Sequence, residues 1–174
     1  MQDLTDANCL VGVDCSIEVA AALDDVWQAW TTTAGARSFF APVTNIRLAL
    51  GGEYEIQFHP TDERHGTKGL KILSYAPKSM LSFQWNAPPH MPSVRDGNTW
   101  VVVELAELSS DQTRVRLRHL GWQGGPEWDE ARIHFRRGWS GALARLSRRF
   151  TQGPIDWARE PMMWQEHRPA VDAS

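Results

Sequence analysis

The feature that most constrains the fold is an amphipathic stretch of about 27 residues near the C terminus. It follows Gly124-Gly125 and begins at Pro126, since proline suits the first position of a helix. Acidic side chains occupy its first turn and arginines its last turns, as the helix macrodipole favours. Its apolar residues recur at helical spacing in one stripe: Trp128, Ala131, Phe135, Trp139, Ala142, Leu146 and Phe150. The pattern predicts a helix about 40 Å long, ending at Gly153-Pro154 and able to cross a whole sheet.

The residues from Thr44 to Trp122 alternate with period two, which is typical of antiparallel strands with one buried face. They predict a six-strand meander with an irregularity between Ile72 and Leu73 and a final hairpin around residues 109–111. Residues 87–97 carry three prolines, a glycine and no periodicity, and therefore predict a long exposed loop. Upstream, the sequence predicts a first strand over residues 9–19 and short helices over residues 22–31 and 34–40.

These elements predict an α+β fold in which a curved antiparallel sheet wraps around the C-terminal helix, with two short helices after the first strand. A meander with one solvated face must bury the other, and the terminal helix is its only large apolar partner. Because a twisted sheet contacts a straight helix more easily at its ends than in its middle, we expect an apolar cavity between them.

We assign residues 1–154 to this domain and residues 155–174 to a C-terminal tail. The tail is rich in large apolar side chains, namely Ile155, Trp157, Met162, Met163 and Trp164. A solvated tail rarely has this composition. We therefore predict that it packs on the domain or on the partner in a homodimer.

Composition excludes several classes of partner. The net charge of −3 gives no electrostatic footprint for nucleic acid or an anionic membrane. The N terminus lacks a signal-peptide pattern and no apolar run could cross a bilayer, which predicts a cytoplasmic protein. Cys9 and Cys15 are predicted to lie in one extended strand, too far apart for a disulfide. The histidines show no metal-ligand spacing, so we predict no metal site and no cofactor.

Several short motifs recur in the order and spacing of a known family. They are Val26-Trp27-Gln28-Ala29-Trp30, Phe39-Phe40-Ala41-Pro42, Gly51-Gly52, Pro77 through Leu81 to Trp85, Thr113-Arg114-Val115 with His119 and Gly121-Trp122, and Gly138-Trp139 ahead of Leu143, Leu146 and Phe150. Across residues 9–152 the chain resembles the helix-grip superfamily of lipid-transfer, polyketide-cyclase and birch-allergen-like proteins. Within it, the chain looks most like the bacterial homologues of the heat-shock ATPase activator's C-terminal domain. The resemblance implies the helix-grip fold and connects the chain to stress response.

Strand parity and the helical stripe turn one set of side chains toward the predicted cavity. We predict that they contact a ligand: Tyr54, Ile56, Phe58, Phe83, Trp85, Leu117, His119, Phe135 and Trp139. His119 has two interpretations, as a ligand contact or general base and as a core histidine bonded to its neighbours. Glu104 is expected in solvent, and no other acid or base has inward parity on a strand.

Three functions remain open at this point. The first is binding of a small hydrophobic or aromatic molecule between the sheet and the C-terminal helix. The second is a cyclase- or hydrolase-like enzyme using the same pocket, although the chain offers no paired catalytic groups. The third is a co-chaperone-like protein-interaction module. Since this superfamily places many functions on one scaffold, the resemblance alone does not choose among them.

Overall fold

The computed structural model describes residues 8–10 and 13–161. Its strands are β1 (Asn8–Leu10), β2 (Asp14–Val19), β3 (Val43–Ile46), β4 (Tyr54–Gln57), β5 (Ile72–Ala76), β6 (Met80–Trp85), β7 (Thr99–Ser109) and β8 (Gln112–Leu120). Its helices are α1 (Leu23–Thr31), α2 (Thr33–Arg37), α3 (Pro92–Arg95) and α4 (Pro126–Gln152).

One antiparallel sheet carries the core, with the strand order β1-β2-β8-β7-β6-β5. Helix α4 lies across the sheet and contacts β2 and β1, while α1 packs against β7 and β8. In the β7–β8 hairpin Val103 is paired with Leu117, and both side chains are buried beneath the helix. Arg114 and Arg116 alternate with them on the outer face. The predicted α+β helix-grip fold is confirmed.

Helix α4 has the bounds that its sequence predicts. Pro126 lies in its first turn and Glu127 and Asp129 follow it, while Gly153 ends it with a φ of 93°. That left-handed conformation is one that glycine adopts without a steric penalty. The buried face adds Leu143 to the predicted stripe. None of the described helices has a segment apolar enough to span a bilayer.

The predicted six-strand meander was wrong in its first part. Strands β3 and β4 form a separate two-stranded sheet. Isolated bridges, Glu53 with Lys71 and Gln57 with Gly66, connect β4 to the segment that leads into β5. The irregularity predicted near Ile72 is present as a register shift between Ile72 and Ser74. Period two marks each strand correctly, but it does not say which strands share hydrogen bonds.

The predicted first strand over residues 9–19 is a hairpin of β1 and β2. Its register places Cys9 directly opposite Cys15. Opposed residues of an antiparallel pair have Cα atoms about 4.5–5.5 Å apart, within the range of a disulfide. Cys15 is disulfide-bonded. The prediction that the two cysteines are too far apart was therefore wrong, because it assumed one continuous extended strand.

The loop predicted over residues 87–97 is partly helical and partly buried. Helix α3 begins at Pro92, and Ala87, Met91 and Val94 are buried. Glu127 Oε2 of α4 accepts hydrogen bonds from the backbone N–H groups of Ser93 (2.7 Å) and Val94 (3.3 Å). A carboxylate from another element thus satisfies the N–H groups that a short helix leaves free. The local sequence carries no sign of that contact.

The first residues of the tail contact the α2 region. The Ile155 backbone N–H donates to the Ser38 carbonyl (2.9 Å), and Trp157 Nε1 donates to the Arg37 carbonyl (2.7 Å). Arg148 forms an ion pair with Glu160. These contacts support the proposal that the tail packs on the domain. Met162, Met163 and Trp164, on which that prediction also drew, lie outside the described residues.

Replacing Trp157 by alanine is expected to lower the free energy of unfolding by about 1–2 kcal/mol. The change removes the hydrogen bond to Arg37 and a cation–π contact with Arg145, whose guanidinium lies 5.7 Å from the ring centroid. Urea unfolding measures the change. The control is Arg159→Ala, which removes an exposed ion pair with Asp156 and should change stability by less than about 0.5 kcal/mol. Equal stability of Trp157→Ala and the unaltered protein would contradict the packing of this segment.

Candidate functional site

A partly open cavity of about 160 Å³ lies beside the middle of α4. Its walls come from α4, from the end of β6 and the loop after it, and from the segments that follow α2 and β4. The apolar lining residues are Phe40, Phe58, Trp85, Ala87, Pro88, Phe135, Trp139 and Ala142. The polar lining residues are His65, Thr67, Asn86, His90, His134, Arg137 and Arg145, and three glycines, Gly66, Gly138 and Gly141, complete the wall.

The cavity is lined by four of the nine residues predicted to contact a ligand, namely Phe58, Trp85, Phe135 and Trp139. The other five, Tyr54, Ile56, Phe83, Leu117 and His119, are buried in the core. Tyr54, for example, stacks on Phe83 with ring centroids 4.0 Å apart, and its hydroxyl donates to the Trp30 carbonyl at 2.9 Å. Strand parity and helical spacing therefore predicted correctly which side chains point inward. They did not predict which of those side chains line the cavity, because that depends on tertiary packing.

Aromatic rings form one wall of the cavity. The Trp85 and Trp139 ring centroids are 4.7 Å apart, and Phe40 stacks on Trp85 at 5.8 Å. Phe58 meets Trp85 edge-on at 6.2 Å. Trp85 Nε1 is buried and has no acceptor among the described residues. The wall can thus offer aromatic faces to a ligand.

His119 supports this wall from the core side. Its Nδ1 accepts a hydrogen bond from Trp139 Nε1 (3.1 Å), and its carbonyl accepts one from Trp122 Nε1 (2.7 Å). Burial lowers the pKa of His119 to about 3. The ring is therefore neutral at physiological pH and carries its proton on Nε2. A group with this pKa is a weak general base, and the contacts favour a role in fixing Trp139.

Arg145 lies where the cavity meets the tail. Its Nε donates to the Phe39 carbonyl (3.0 Å) and its Nη2 to the Phe40 carbonyl (3.3 Å). Its guanidinium also stacks over the Trp157 ring, 5.7 Å from the centroid. Burial lowers the pKa of Arg145 to about 10, partly opposed by the charge of Glu160. The group remains cationic at neutral pH, and no described carboxylate lies within ion-pair distance of it.

Three histidines line the cavity, namely His65, His90 and His134, and His59 lies against His65. The rings of His59 and His65 are 5.8 Å apart, and those of His90 and His134 are 6.2 Å apart. Burial lowers the pKa of His65, and the charge of His90 acts in the same direction. Within the described residues, no three His, Cys, Asp or Glu side chains are arranged to hold a metal ion. Sequence reasoning missed the approach of His65, His90 and His134 because these three residues are far apart in the chain.

The fold and the site together define the class of protein. A curved antiparallel sheet closed by one long helix, with a cavity between helix and sheet, is the helix-grip architecture. The chain belongs to the family of Activator of Hsp90 ATPase homolog 1-like proteins, whose model matches residues 20–151. No curated protein matches the sequence.

Solved structures show the same fold at low sequence identity. The Aha1 dimer from Colwellia psychrerythraea has a TM-score of 0.64 and 20% identity, over 83% of this chain and 98% of that one. The protein MLL2253 from Mesorhizobium loti has a TM-score of 0.64 and 17% identity, over 82% and 99%. CalU16 from Micromonospora echinospora has a TM-score of 0.57 and 18% identity, over 87% and 83%. At these identities the likeness shows the fold alone.

Proposed function

We propose that the protein binds a small hydrophobic molecule containing an aromatic ring in the cavity between the sheet and α4. The observation that carries the proposal is the aromatic wall of Phe40, Trp85 and Trp139 around space that the side chains leave open. The cavity is smaller than the roughly 300–1,000 Å³ of pockets for drug-sized ligands. A compact ligand of one or two rings suits it, with an end that reaches solvent.

Gly141 supports the proposal from the helix side. We consider a Cβ atom added at Gly141 and leave aside the adjacent residues and the nearby helix backbone. The only described heavy atom within 4 Å of it is then Arg145 Nη1, at 3.6 Å. Glycine inside a helix costs roughly 1 kcal/mol relative to alanine. Close packing against the sheet therefore does not explain this glycine. Open space for a ligand does.

Filling the cavity from Gly141 is expected to block binding. The probe is neutral 6-propionyl-2-(dimethylamino)naphthalene, a two-ring compound whose fluorescence rises in an apolar site. We expect saturable binding to the unaltered protein and at least tenfold weaker binding to Gly141→Leu, because the leucine side chain enters the space that the rings need. Gly141→Ala should unfold at higher urea concentration, by up to about 1 kcal/mol of added stability.

The matched control is Glu130→Leu, which adds a leucine at an exposed position of the same helix and should leave the probe's affinity unchanged. If Gly141→Leu bound the probe as well as the unaltered protein, the proposed site would be wrong. A lack of saturable binding to the unaltered protein would overturn the proposed function and favour the interaction-module alternative.

The cyclase- or hydrolase-like alternative receives less support from the cavity. Its described lining contains three histidines but no aspartate or glutamate. Paired carboxylates, the usual means of holding two groups in different protonation states, are thus absent from that lining. Turnover of a bound ester or polyketide-like compound, lost in Gly141→Leu, would nevertheless favour the enzyme.

A homodimer forms part of the proposal. The Colwellia psychrerythraea neighbour was solved as a dimer, and the tail from residue 155 onward is rich in apolar side chains. Light scattering coupled to gel filtration measures the mass. A monomer at all accessible concentrations would contradict this part and leave ligand binding untouched.

A further inference from the structure

The charges around the cavity are all of one sign. Its described lining includes the guanidinium groups of Arg137 and Arg145 and three histidines, but no acidic residue. The chain as a whole carries a net charge of −3. The cationic lining is therefore a local feature, opposite in sign to the average of the protein, and it requires its own explanation.

The two arginines flank the open part of α4. Arg137, Gly141 and Arg145 are spaced by four residues, which places them on one face of the helix. At 1.5 Å of rise per residue, each arginine Cα lies about 6 Å along the axis from Gly141. Arg137 is exposed and Arg145 is half-buried. A ligand seated over Gly141 would thus have a guanidinium on either side.

Arg145 keeps donors that the described protein does not use. A guanidinium has five N–H donors, and the described hydrogen bonds of Arg145 go to two backbone carbonyls. Two other arginines of α4 have carboxylate partners: Arg132 pairs with Asp129, and Arg148 pairs with Glu160. The Nη1 of Arg145 is also the atom that lies beside Gly141. A cation next to open space that has no ion pair with a described carboxylate is suited to an anion from outside.

From this geometry we infer that the ligand is an aromatic carboxylic acid, whose rings lie on the wall of Phe40, Trp85 and Trp139 and whose carboxylate lies over Gly141 between Arg137 and Arg145. The inference rests on the proposed function and adds the charge of the ligand to it. Arginine forks bind carboxylates through paired hydrogen bonds, stronger than neutral ones.

A matched pair of compounds separates this inference from the proposed function. Calorimetric titration compares 1-naphthoate with neutral 1-naphthamide at pH 8, above the usual pKa of histidine, about 6.5. We expect naphthoate to bind at least tenfold more tightly. Raising the salt from 50 to 500 mM should weaken naphthoate binding severalfold and leave naphthamide binding unchanged, because salt screens charge interactions.

Three variants assign the effect to residues. Arg145→Gln and Arg137→Gln should each reduce the ratio of naphthoate affinity to naphthamide affinity to threefold or less. The control is Arg136→Gln, which removes the same charge one residue away at a position that does not line the cavity, and it should keep the preference. Because Arg137 is exposed, its variant provides the test if Arg145→Gln does not fold.

The possible results are distinct. If both compounds bind equally, or if Arg137→Gln and a folded Arg145→Gln keep the preference, the inference is overturned and the proposed function survives. If neither compound binds the unaltered protein, the proposed function fails as well. A preference for naphthoate that all three variants lower alike would reflect overall charge and would also overturn the assignment.

Discussion

Replacing Trp139 by alanine is expected to lower the free energy of unfolding by about 3–5 kcal/mol. Trp139 is 2% exposed, packs against Trp85 and Phe40, and donates its Nε1–H to His119. Alanine leaves a void in the centre of the helix–sheet contact and an unsatisfied acceptor on His119. Urea unfolding followed by circular dichroism measures the loss.

Two comparisons interpret that loss. Trp139→Phe keeps an aromatic ring and removes the N–H donor, so it should cost about 1–3 kcal/mol. Trp100→Ala removes an indole that is 37% exposed on β7 and should cost clearly less than Trp139→Ala. A loss below about 1.5 kcal/mol for Trp139→Ala would contradict the packing described here, since no relaxed core absorbs a missing indole so cheaply.

Lowering the pH from 7.5 to 5.0 should reduce the free energy of unfolding, and His119 should account for much of this reduction. Burial holds the pKa of His119 near 3 in the folded protein, against about 6.5 in the unfolded chain. Below pH 6.5 the unfolded state therefore binds a proton that the folded state does not. The stability that comes from keeping His119 neutral in the folded protein is present above about pH 6.5 and is lost as the pH falls toward 3. The loss of unfolding free energy between pH 7.5 and 5.0 is roughly 2 kcal/mol.

His119→Gln tests this assignment. The glutamine carbonyl can still accept from Trp139 Nε1, but the side chain does not titrate. The variant should be less stable at pH 7.5 and should show a flatter dependence down to pH 5.0 in urea unfolding. The range from pH 7.5 to 5.0 lies above the titration of carboxylates such as Glu53, whose pKa is lowered to about 2 by the hydrogen bond from Arg47. A variant that kept the full pH dependence of the unaltered protein would place the titrating group elsewhere.

The extent to which the sequence predicted this fold follows from how local each signal is. Helix α4 and the β7–β8 hairpin were predicted closely, because hydrophobic periodicity and the turn residues at their ends are properties of consecutive residues. Helix α3 was missed because its stabilising partner, Glu127, comes from another element. The pairing of Cys9 with Cys15 was missed because it depends on a chain reversal within the predicted strand.

The candidate site shows the same division. Parity and helical spacing turned Phe58, Trp85, Phe135 and Trp139 inward, and all four line the cavity. The same parity applies to Phe83, which is packed tightly against Tyr54 in the core. Whether an inward side chain meets a neighbour or open space depends on the twist of the sheet and the height of the helix above it, which are not local properties.

The sequence by itself determined the α+β class, the long helix and its apolar face, and the identity of the aromatic residues beneath it, because each is encoded in the spacing of neighbouring residues. Only the tertiary structure decided where that interior stays open, that His119 faces Trp139, and that Arg145 borders Gly141 and the cavity without an ion pair to any described carboxylate. These features depend on contacts between residues far apart in the chain. The distances between these side chains and their burial are determined by how the elements pack, and the hydrophobic periodicity of a single element does not encode them.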